Sequence, residues 1–185
     1  MARKKKPGIF CLEGDWDKNL KDKTSVRPLL EFLDQNEHID FIYRDVGTPN
    51  ELVFYVKKWQ QSRYSSYNIG YFAFHGEPDA IFIGRNKKSI EELGKLLEGA
   101  CSKKTLYFGS CKTLNIGRKK ILELKKITKA RCVCGYTKDV NWFPCSAFEL
   151  LLFYALTNYK RIDLVDKYLK KYSGLVRELG FKIYW

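Results

Sequence analysis

Two short apolar runs, each followed by a reactive side chain, constrain this chain more than any other feature of its sequence. Residues 71–74 precede His75 and Gly76, and residues 105–108 precede a Gly-Ser pair and then Cys111. Apolar runs of this length bounded by Gly or Ser are typical of buried central strands. In parallel α/β sheets, chemistry gathers just beyond the carboxyl ends of the strands. We therefore expect two adjacent strands to carry an imidazole and a thiol to one crevice.

A cysteine and a histidine in one crevice can act as nucleophile and base. The thiolate is the attacking species, and an imidazole within hydrogen-bond reach can generate it. The competing interpretation is structural, because Cys is among the most buried residue types and a lone His is often structural. The small residues Gly76, Gly109 and Ser110 beside the two side chains favour a site, since they let a substrate approach the backbone closely.

The other histidine and the remaining thiols have simpler interpretations. His38 is predicted to lie at the start of the second strand, at the far edge of the sheet. Cys132 and Cys134 are two apart in one predicted strand, so they share a face and pack in the core. Together with Cys145 and a histidine they would suggest zinc, but Cys-x-Cys lacks the usual ligand spacing. We expect no metal and no cofactor.

Length and composition favour one domain, residues 1–185, with a basic, flexible N-terminus at residues 1–7. The longest strongly apolar stretch, residues 148–156, is far shorter than the roughly 20 residues of a membrane span. The apolar run after the basic start is soon broken by Glu13 and Asp15, which is not typical of a signal peptide. Six dispersed cysteines favour reduced thiols, and hence a cytoplasmic protein outside the membrane.

The net charge of +13 leaves a nucleic-acid partner open. The cations fall in short groups dispersed along the chain, at residues 3–6, 57–58, 87–88, 103–104, 118–120, 125–126 and 170–171. No zinc-finger, RNP or phosphate-loop motif accompanies them. We therefore favour solubility as the reason for the charge.

Alternation of strand and helix patterns predicts an α/β fold, a three-layer sandwich with a mainly parallel central sheet. The expected strands are residues 8–12, 39–43, 71–74, 80–84, 105–108, 130–134 and 181–184. One expected helix begins near Pro28, and the others span residues 49–60, 89–98, 116–126, 150–156 and 162–169. Three capping boxes support these helices: Thr48 with Glu51, Ser89 with Glu92, and Ser146 with Glu149.

The two runs ending at His75-Gly76 and at Cys111 resemble the caspase-type cysteine peptidases, which include caspases, metacaspases, gingipains, separase and the bacterial CHAT domains. Residues 131–142 and 146–149 are similar to a strand, pocket loop and helix of that fold. The resemblance implies a caspase-like fold in which Cys111 is the nucleophile and His75 the general acid and base. It also implies an oxyanion site formed by the backbone N–H groups of Gly76 and Cys111. No third catalytic member is identified.

The resemblance also implies a specificity pocket formed by three loops. The matching positions are Glu13, Asp15, Gly109, Ser110, Asp139 and Trp142. Caspases place arginines in this pocket to hold an aspartate, whereas here Phe143 follows Trp142, which puts that preference in doubt. Carboxylates at Asp15 or Asp139 would favour Lys or Arg. The alternatives are that these acids are ordinary loop residues and that Trp142 belongs to the core.

Two functions follow as expectations. The first is a cysteine endopeptidase that cleaves a protein substrate, after a basic residue, as a bacterial effector of the CHAT sort in antiviral defence. Its small size implies activation by a partner chain. The alternative is a catalytically silent caspase-like interaction module with a basic, nucleic-acid-associated surface.

Overall fold

The computed structural model describes residues 6–19 and 21–185. Its strands are β1 (Ile9–Glu13), β2 (Phe41–Asp45), β3 (Ile69–Ala73), β4 (His75–Glu77), β5 (Ala80–Ile83), β6 (Asn86–Ser89), β7 (Thr105–Phe108), β8 (Cys132–Tyr136) and β9 (Phe181–Tyr184). Its helices are α1 (Arg27–Glu37), α2 (Pro49–Trp59), α3 (Ile90–Leu96), α4 (Arg118–Thr128), α5 (Trp142–Asn158), α6 (Ile162–Leu169) and α7 (Ser173–Leu179). Residues 1–5, most of the predicted flexible N-terminus, lie outside the described residues.

A six-stranded sheet in the order β2-β1-β3-β7-β8-β9 forms the centre of the fold. β2, β1, β3, β7 and β8 are parallel, and β9 pairs antiparallel with β8. The strands β3 and β7, which carry the two apolar runs, are neighbours. The prediction of an α/β fold with a mainly parallel sheet is therefore confirmed.

Helices cover both faces of this sheet because the central strands are apolar on both sides. Along β3, Tyr71 and Ala73 pack into one hydrophobic cluster, whereas Phe72 and the following Phe74 pack into the other. The first cluster is completed by α1, α5, α6 and α7, and the second by α2, α3 and α4. Cys132 and Cys134 both lie in the first cluster, as their spacing predicts.

A small antiparallel sheet, β4-β5-β6, follows β3. The predicted return strand is β5, and β6 adds a third strand that runs into α3. The short strand β4 begins at His75, so this histidine stands at the start of the hairpin, after Phe74 has ended the run from β3.

Two of the three predicted capping boxes form. The side chains of Thr48 and Ser89 accept from the amides of Glu51 and Glu92, whose carboxylates accept in return from the N-cap amides. His38 is exposed and ends α1 in the left-handed conformation, three residues before edge strand β2.

The third capping box is wrong. Helix α5 starts earlier, with Asn141 as its N-cap, and Pro144 lies in its first turn, where proline is tolerated. The hydroxyl of Ser146 donates to the carbonyl of Trp142, one turn back, as in a helix interior. Glu149 consequently lies in the middle of the helix and is buried.

No helix within the described ranges combines the length and apolarity that crossing a membrane would need.

Candidate active site

The carboxyl ends of four parallel strands meet at one edge of the central sheet. The segments that follow β1, β3, β7 and β8 contribute Trp16, His75, Cys111 and Trp142, respectively. Parallel strands end on the same side, and this geometry gathers residues that are far apart in sequence.

Cys111 lies in a loop of residues 109–114 that is fixed to strands on both sides. The Gly109 amide donates to the carbonyl of Phe72 at 3.0 Å, and the Leu114 amide donates to that of Tyr136 at 3.0 Å. Lys112, directly after the cysteine, has a left-handed φ of 54°, which is uncommon for a side chain of this type. Cys111 is half-buried, whereas the other five cysteines are buried. It is the thiol that a reagent or substrate reaches most easily.

The hairpin that begins at His75 is packed directly against this loop. A Cβ atom on Gly76 would lie 2.5 Å from the carbonyl oxygen of Cys111 and 2.8 Å from the Cβ of Ser110, so only glycine fits there. The Asp79 amide donates to the carbonyl of Thr113 at 3.3 Å, and the Thr113 hydroxyl donates to that of Ala80 at 3.2 Å. The structure thus brings the backbone after His75 into contact with that of Cys111.

The His75 ring is exposed and is oriented by a backbone atom. Its Nε2 lies 2.7 Å from the carbonyl oxygen of Trp16. A carbonyl can only accept, so Nε2 carries the hydrogen, and in the neutral ring Nδ1 is left as an acceptor. The Trp16 ring meets the imidazole edge-on, with centroids 5.3 Å apart. Sequence reasoning identified no orienting group, because a main-chain carbonyl has no signature in a sequence.

Glu13 fixes the loop that carries Trp16. Its buried carboxylate accepts from the Trp16 indole, the Ser25 hydroxyl at 2.6 Å, the Val26 amide at 2.8 Å and the Tyr43 hydroxyl at 2.6 Å. Four donors satisfy it, and it lies outside the cavity beside Cys111. Glu13, predicted to line the specificity pocket, serves here as an anchor for that loop.

Most of the other residues predicted to line the pocket also lie outside the cavity. Asp15 is exposed on a separate polar depression. Asp139 is exposed and forms an ion pair with Lys112. The Ser110 hydroxyl is buried and donates to the carbonyl of Phe72 at 3.3 Å. Of the predicted side chains, Trp142 reaches the cavity, and its ring packs edge-on against Trp16 at 5.1 Å.

A cavity of about 50 Å³ opens beside Cys111. Its walls include the rings of Trp16, Trp142 and Tyr71, and Glu149 lies in its lining together with Cys111. The cavity therefore joins the half-buried thiol to a carboxyl group inside the domain.

Glu149 is the centre of a buried network of phenols. Its Oε1 accepts from the hydroxyls of Tyr71 at 2.7 Å and Tyr107 at 2.6 Å. The Tyr136 hydroxyl lies 2.9 Å from that of Tyr107, to which it can donate, and it accepts from the Cys145 thiol at 3.2 Å. Burial raises the pKa of Glu149 to about 7, although the bonds from the two phenols oppose this shift. The carboxyl therefore keeps its proton to a higher pH than an exposed glutamate does.

One family comparison covers nearly the whole chain. The matching family model, described as a family of unknown function (DUF6642), spans residues 6–185. The chain belongs to this family. None of the curated proteins matches it. The family description carries no activity, so any function must be argued from the site itself.

Sequence reasoning missed Glu149 because Ser146 and Glu149 have the spacing of a capping box. One signal was available: Glu149 is the only charged residue between Asp139 and Lys160, within an otherwise strongly apolar segment. A lone carboxylate in such a segment is costly to bury, and it is retained in a core only with strong partners.

Metal ligands do not converge at this site. Within residues 6–19 and 21–185, no group of three or more His, Cys, Asp or Glu side chains is arranged to hold an ion.

Proposed function

We propose that this chain is a cysteine endopeptidase with a caspase-like three-layer α/β sandwich, in which Cys111 is the nucleophile and His75 the general acid and base. The observation that carries the proposal is the contact between the two segments. Gly76 packs on the backbone of Cys111, and the neighbouring imidazole is oriented by Trp16 with Nδ1 left as the proton acceptor. A nucleophile, a base and an orienting group for the base form the pattern of covalent catalysis.

The reaction follows from these roles. Nδ1 of His75 takes the thiol proton, and the sulfur of Cys111 forms a bond to the scissile carbonyl carbon. The carbon–nitrogen bond breaks, and the leaving amine takes the proton from His75. A water molecule, losing a proton to His75, then attacks the thioester carbon, which releases a carboxylic acid and restores the thiol. The chemistry needs no further co-reactant.

The oxyanion formed during attack would be held by the backbone N–H groups of Gly76 and Cys111. Within the described residues, no acceptor pairs with the Cys111 N–H. A free donor beside the nucleophile can stabilise a developing negative charge, and such donors contribute strongly to acyl transfer.

Exposed aromatic rings near the cavity support a protein substrate and an activating partner chain. Trp142 is 42% exposed and Phe143 is 83% exposed at the start of α5. Exposed aromatic rings beside a site are typical of surfaces that bind other proteins. These rings support a partner that switches the protein on, and the resemblance to CHAT domains is the basis for proposing a cytoplasmic bacterial effector with a role in antiviral defence. The sequence-based proposal that Asp15 and Asp139 select the substrate is dropped, since neither lines the cavity.

Labelling with peptidyl acyloxymethyl ketones tests the proposal. These reagents alkylate an activated thiol, and peptide mass locates the adduct. We expect modification at Cys111, slowed about 100-fold or more in His75→Ala, because general base catalysis contributes that much. The matched control is His38→Ala, which removes an exposed histidine at the end of α1. Labelling spread over several cysteines and indifferent to His75 would contradict the proposal.

A second candidate function, single-stranded nucleic-acid binding, is favoured by a different surface. A groove of about 220 Å³ between β2 and α2 is lined by Arg44, Lys58 and Arg63 together with aromatic rings. Phe54 is 54% exposed there, with the Lys58 ammonium 5.2 Å from its ring centroid. Among the described residues that line this groove there is no carboxylate. Cations interleaved with exposed rings suit a strand with phosphates and stacking bases.

A further inference from the structure

Glu149 is a buried carboxyl group without a cationic partner. Its side chain is 2% exposed, and its hydrogen bonds come from neutral phenols. No salt bridge within the described residues includes it. Buried charges in proteins are normally paired, because an unpaired charge loses its hydration without compensation. A cation that enters the cavity beside Glu149 could serve as its counterion.

Glu149 and Cys111 line the same cavity. A Cβ atom on Gly109, two residues before the thiol, would lie 3.1 Å from Oε1 of Glu149. The absence of a side chain at Gly109 therefore leaves the carboxyl close to the nucleophile loop. The rings of Trp16 and Trp142 also line this cavity, and aromatic rings attract ammonium groups.

We propose that this cavity binds an unbranched primary alkylammonium group, the side chain of a substrate lysine before the scissile bond, with Glu149 as its counterion. This inference rests on the proposed function for its biological meaning, because it names the substrate class of that site. A cavity needs roughly 10–15 Å³ of accessible volume to hold one water molecule. The cavity of about 50 Å³ therefore has room for an ammonium group with its adjoining methylene.

The phenol network is suited to this role. Tyr71 and Tyr107 both donate to Oε1, which fixes the plane of the carboxyl group. Neither phenol donates to Oε2. A carboxyl group held in place before the ligand arrives loses little freedom on binding, and such preorganisation favours affinity.

Ionisation of Glu149 should be coupled to binding of the cation. Burial raises the pKa of Glu149 to about 7, so part of the population is protonated at neutral pH. A bound ammonium would favour the ionised form, and affinity for it should therefore grow as the pH rises through this value. The titratable groups that bear on Glu149 from the packed elements are Tyr71, Tyr107, Tyr136, Cys145, Cys11 and Glu13.

Methanethiosulfonate reagents of different charge test the cavity without requiring peptidase activity. Each transfers its alkylthio group to the Cys111 thiolate, forming a disulfide and releasing methanesulfinate. The ratio of rates for the 2-aminoethyl reagent, which is cationic, and the ethyl reagent, which is neutral, cancels the fraction of thiolate. We expect a ratio of roughly 10 or more at pH 8, equivalent to a modest binding preference. In Glu149→Gln, we expect the cationic reagent to react at nearly the same rate as the neutral reagent.

Three controls separate the cavity from the general surface field. Asp139→Asn removes an exposed carboxylate from the pair with Lys112 and should leave the ratio unchanged. The 2-trimethylammonioethyl reagent should lose the preference, because its quaternary nitrogen has no N–H group to donate to Glu149. Cys111→Ser identifies reaction at other thiols. An equal preference for both cationic reagents, or the same ratio in Glu149→Gln, would overturn the inference.

The pH dependence keeps the inference open to refutation if Glu149→Gln does not fold. In His75→Ala, the ratio should still increase through pH 7, since His75 is absent and Glu149 remains. A flat ratio in that variant would refute the inference. If the cation preference is observed but no His75-dependent peptide cleavage is found, the cavity assignment stands and the peptidase proposal is refuted. If His75-dependent cleavage is observed without the cation preference, the peptidase proposal stands and the cavity assignment is refuted.

Discussion

The imidazole Nε2 of His75 and the backbone carbonyl oxygen of Trp16 are 2.7 Å apart. This hydrogen bond joins the hairpin after β3 to the loop after β1, 59 residues away in sequence. The acceptor is a main-chain atom, so the orientation of the imidazole depends on how the loop is held. Glu13 holds it, through the Trp16 indole and three further donors.

The tautomer of His75 is the first prediction. We expect nitrogen NMR shifts of the neutral ring to show a protonated Nε2 and an unprotonated Nδ1, because the Trp16 carbonyl can only accept. The exposed His38 serves as the internal reference in the same spectrum. A His75 ring with its hydrogen on Nδ1 would contradict the proposed base.

Gly76→Ala should separate the hairpin from the loop that contains Cys111. The new methyl group would overlap with the Thr113 hydroxyl and the Cys111 carbonyl oxygen, so one segment must shift. We expect a stability loss of about 1–3 kcal/mol, as for other overpacked sites, and a larger proportional loss in Cys111 labelling rate. Gly174→Ala, at an open helical position, should be neutral or slightly stabilising. Equal labelling rates of Cys111 in the two variants would contradict the close packing of the hairpin against the loop that contains Cys111.

Glu13→Ala should destabilise the protein far more than Asp15→Ala. Four donors lose a buried acceptor in the first variant, whereas Asp15 is exposed. We expect a cost on the order of 3 kcal/mol or more in urea unfolding for Glu13→Ala, and close to none for Asp15→Ala. Labelling of Cys111 should also slow in Glu13→Ala, since Trp16 loses its anchor. Similar unfolding curves for the two variants would refute the anchoring role.

Glu149 should make stability depend on pH in a defined window. Its pKa rises on folding from 4.5 to about 7, so the folded state binds the proton more tightly. The contribution is complete below pH 4.5 and is lost as the pH rises through 7. A pKa difference of this size corresponds to about 3 kcal/mol. Relative to wild type, Glu149→Gln should therefore gain stability by about that amount between pH 4.5 and pH 8. If urea unfolding gives the same dependence of the free energy of unfolding on pH for wild type and Glu149→Gln, the buried, ionising carboxyl is contradicted.

Nucleic-acid binding, if present, should follow the groove beside β2. Arg63→Glu should weaken binding of an oligothymidylate of about 20 nucleotides and reduce the salt dependence, by roughly 0.7 in slope for each phosphate that the protein no longer neutralises. The charge-matched control is Lys182→Glu on β9, the opposite edge of the sheet. Cys111→Ala should leave binding unchanged. Equal weakening in the two charge variants would indicate nonspecific attraction and refute the groove.

Local sequence patterns predicted most of the elements. The capping boxes at Thr48 and Ser89 identified α2 and α3 because the residues that cap a helix lie within one turn of each other. The apolar runs before His75 and Cys111 predicted neighbouring strands, since only central strands of a parallel sheet are buried on both faces. The same kind of pattern was misleading at Ser146 and Glu149, where helix packing outweighed a local cap.

The sequence by itself determined the alternation of strands and helices, the mainly parallel sheet and the two reactive side chains placed beyond strands β3 and β7. Only the tertiary structure decided what surrounds them. It assigned Glu13 to the loop that orients His75, left Asp15 and Asp139 outside the cavity, and placed Glu149 beside Cys111. The physical reason is that capping and strand periodicity act over a few residues. The partners of a buried carboxylate, in contrast, come from strands and helices that meet only when the sheet has formed.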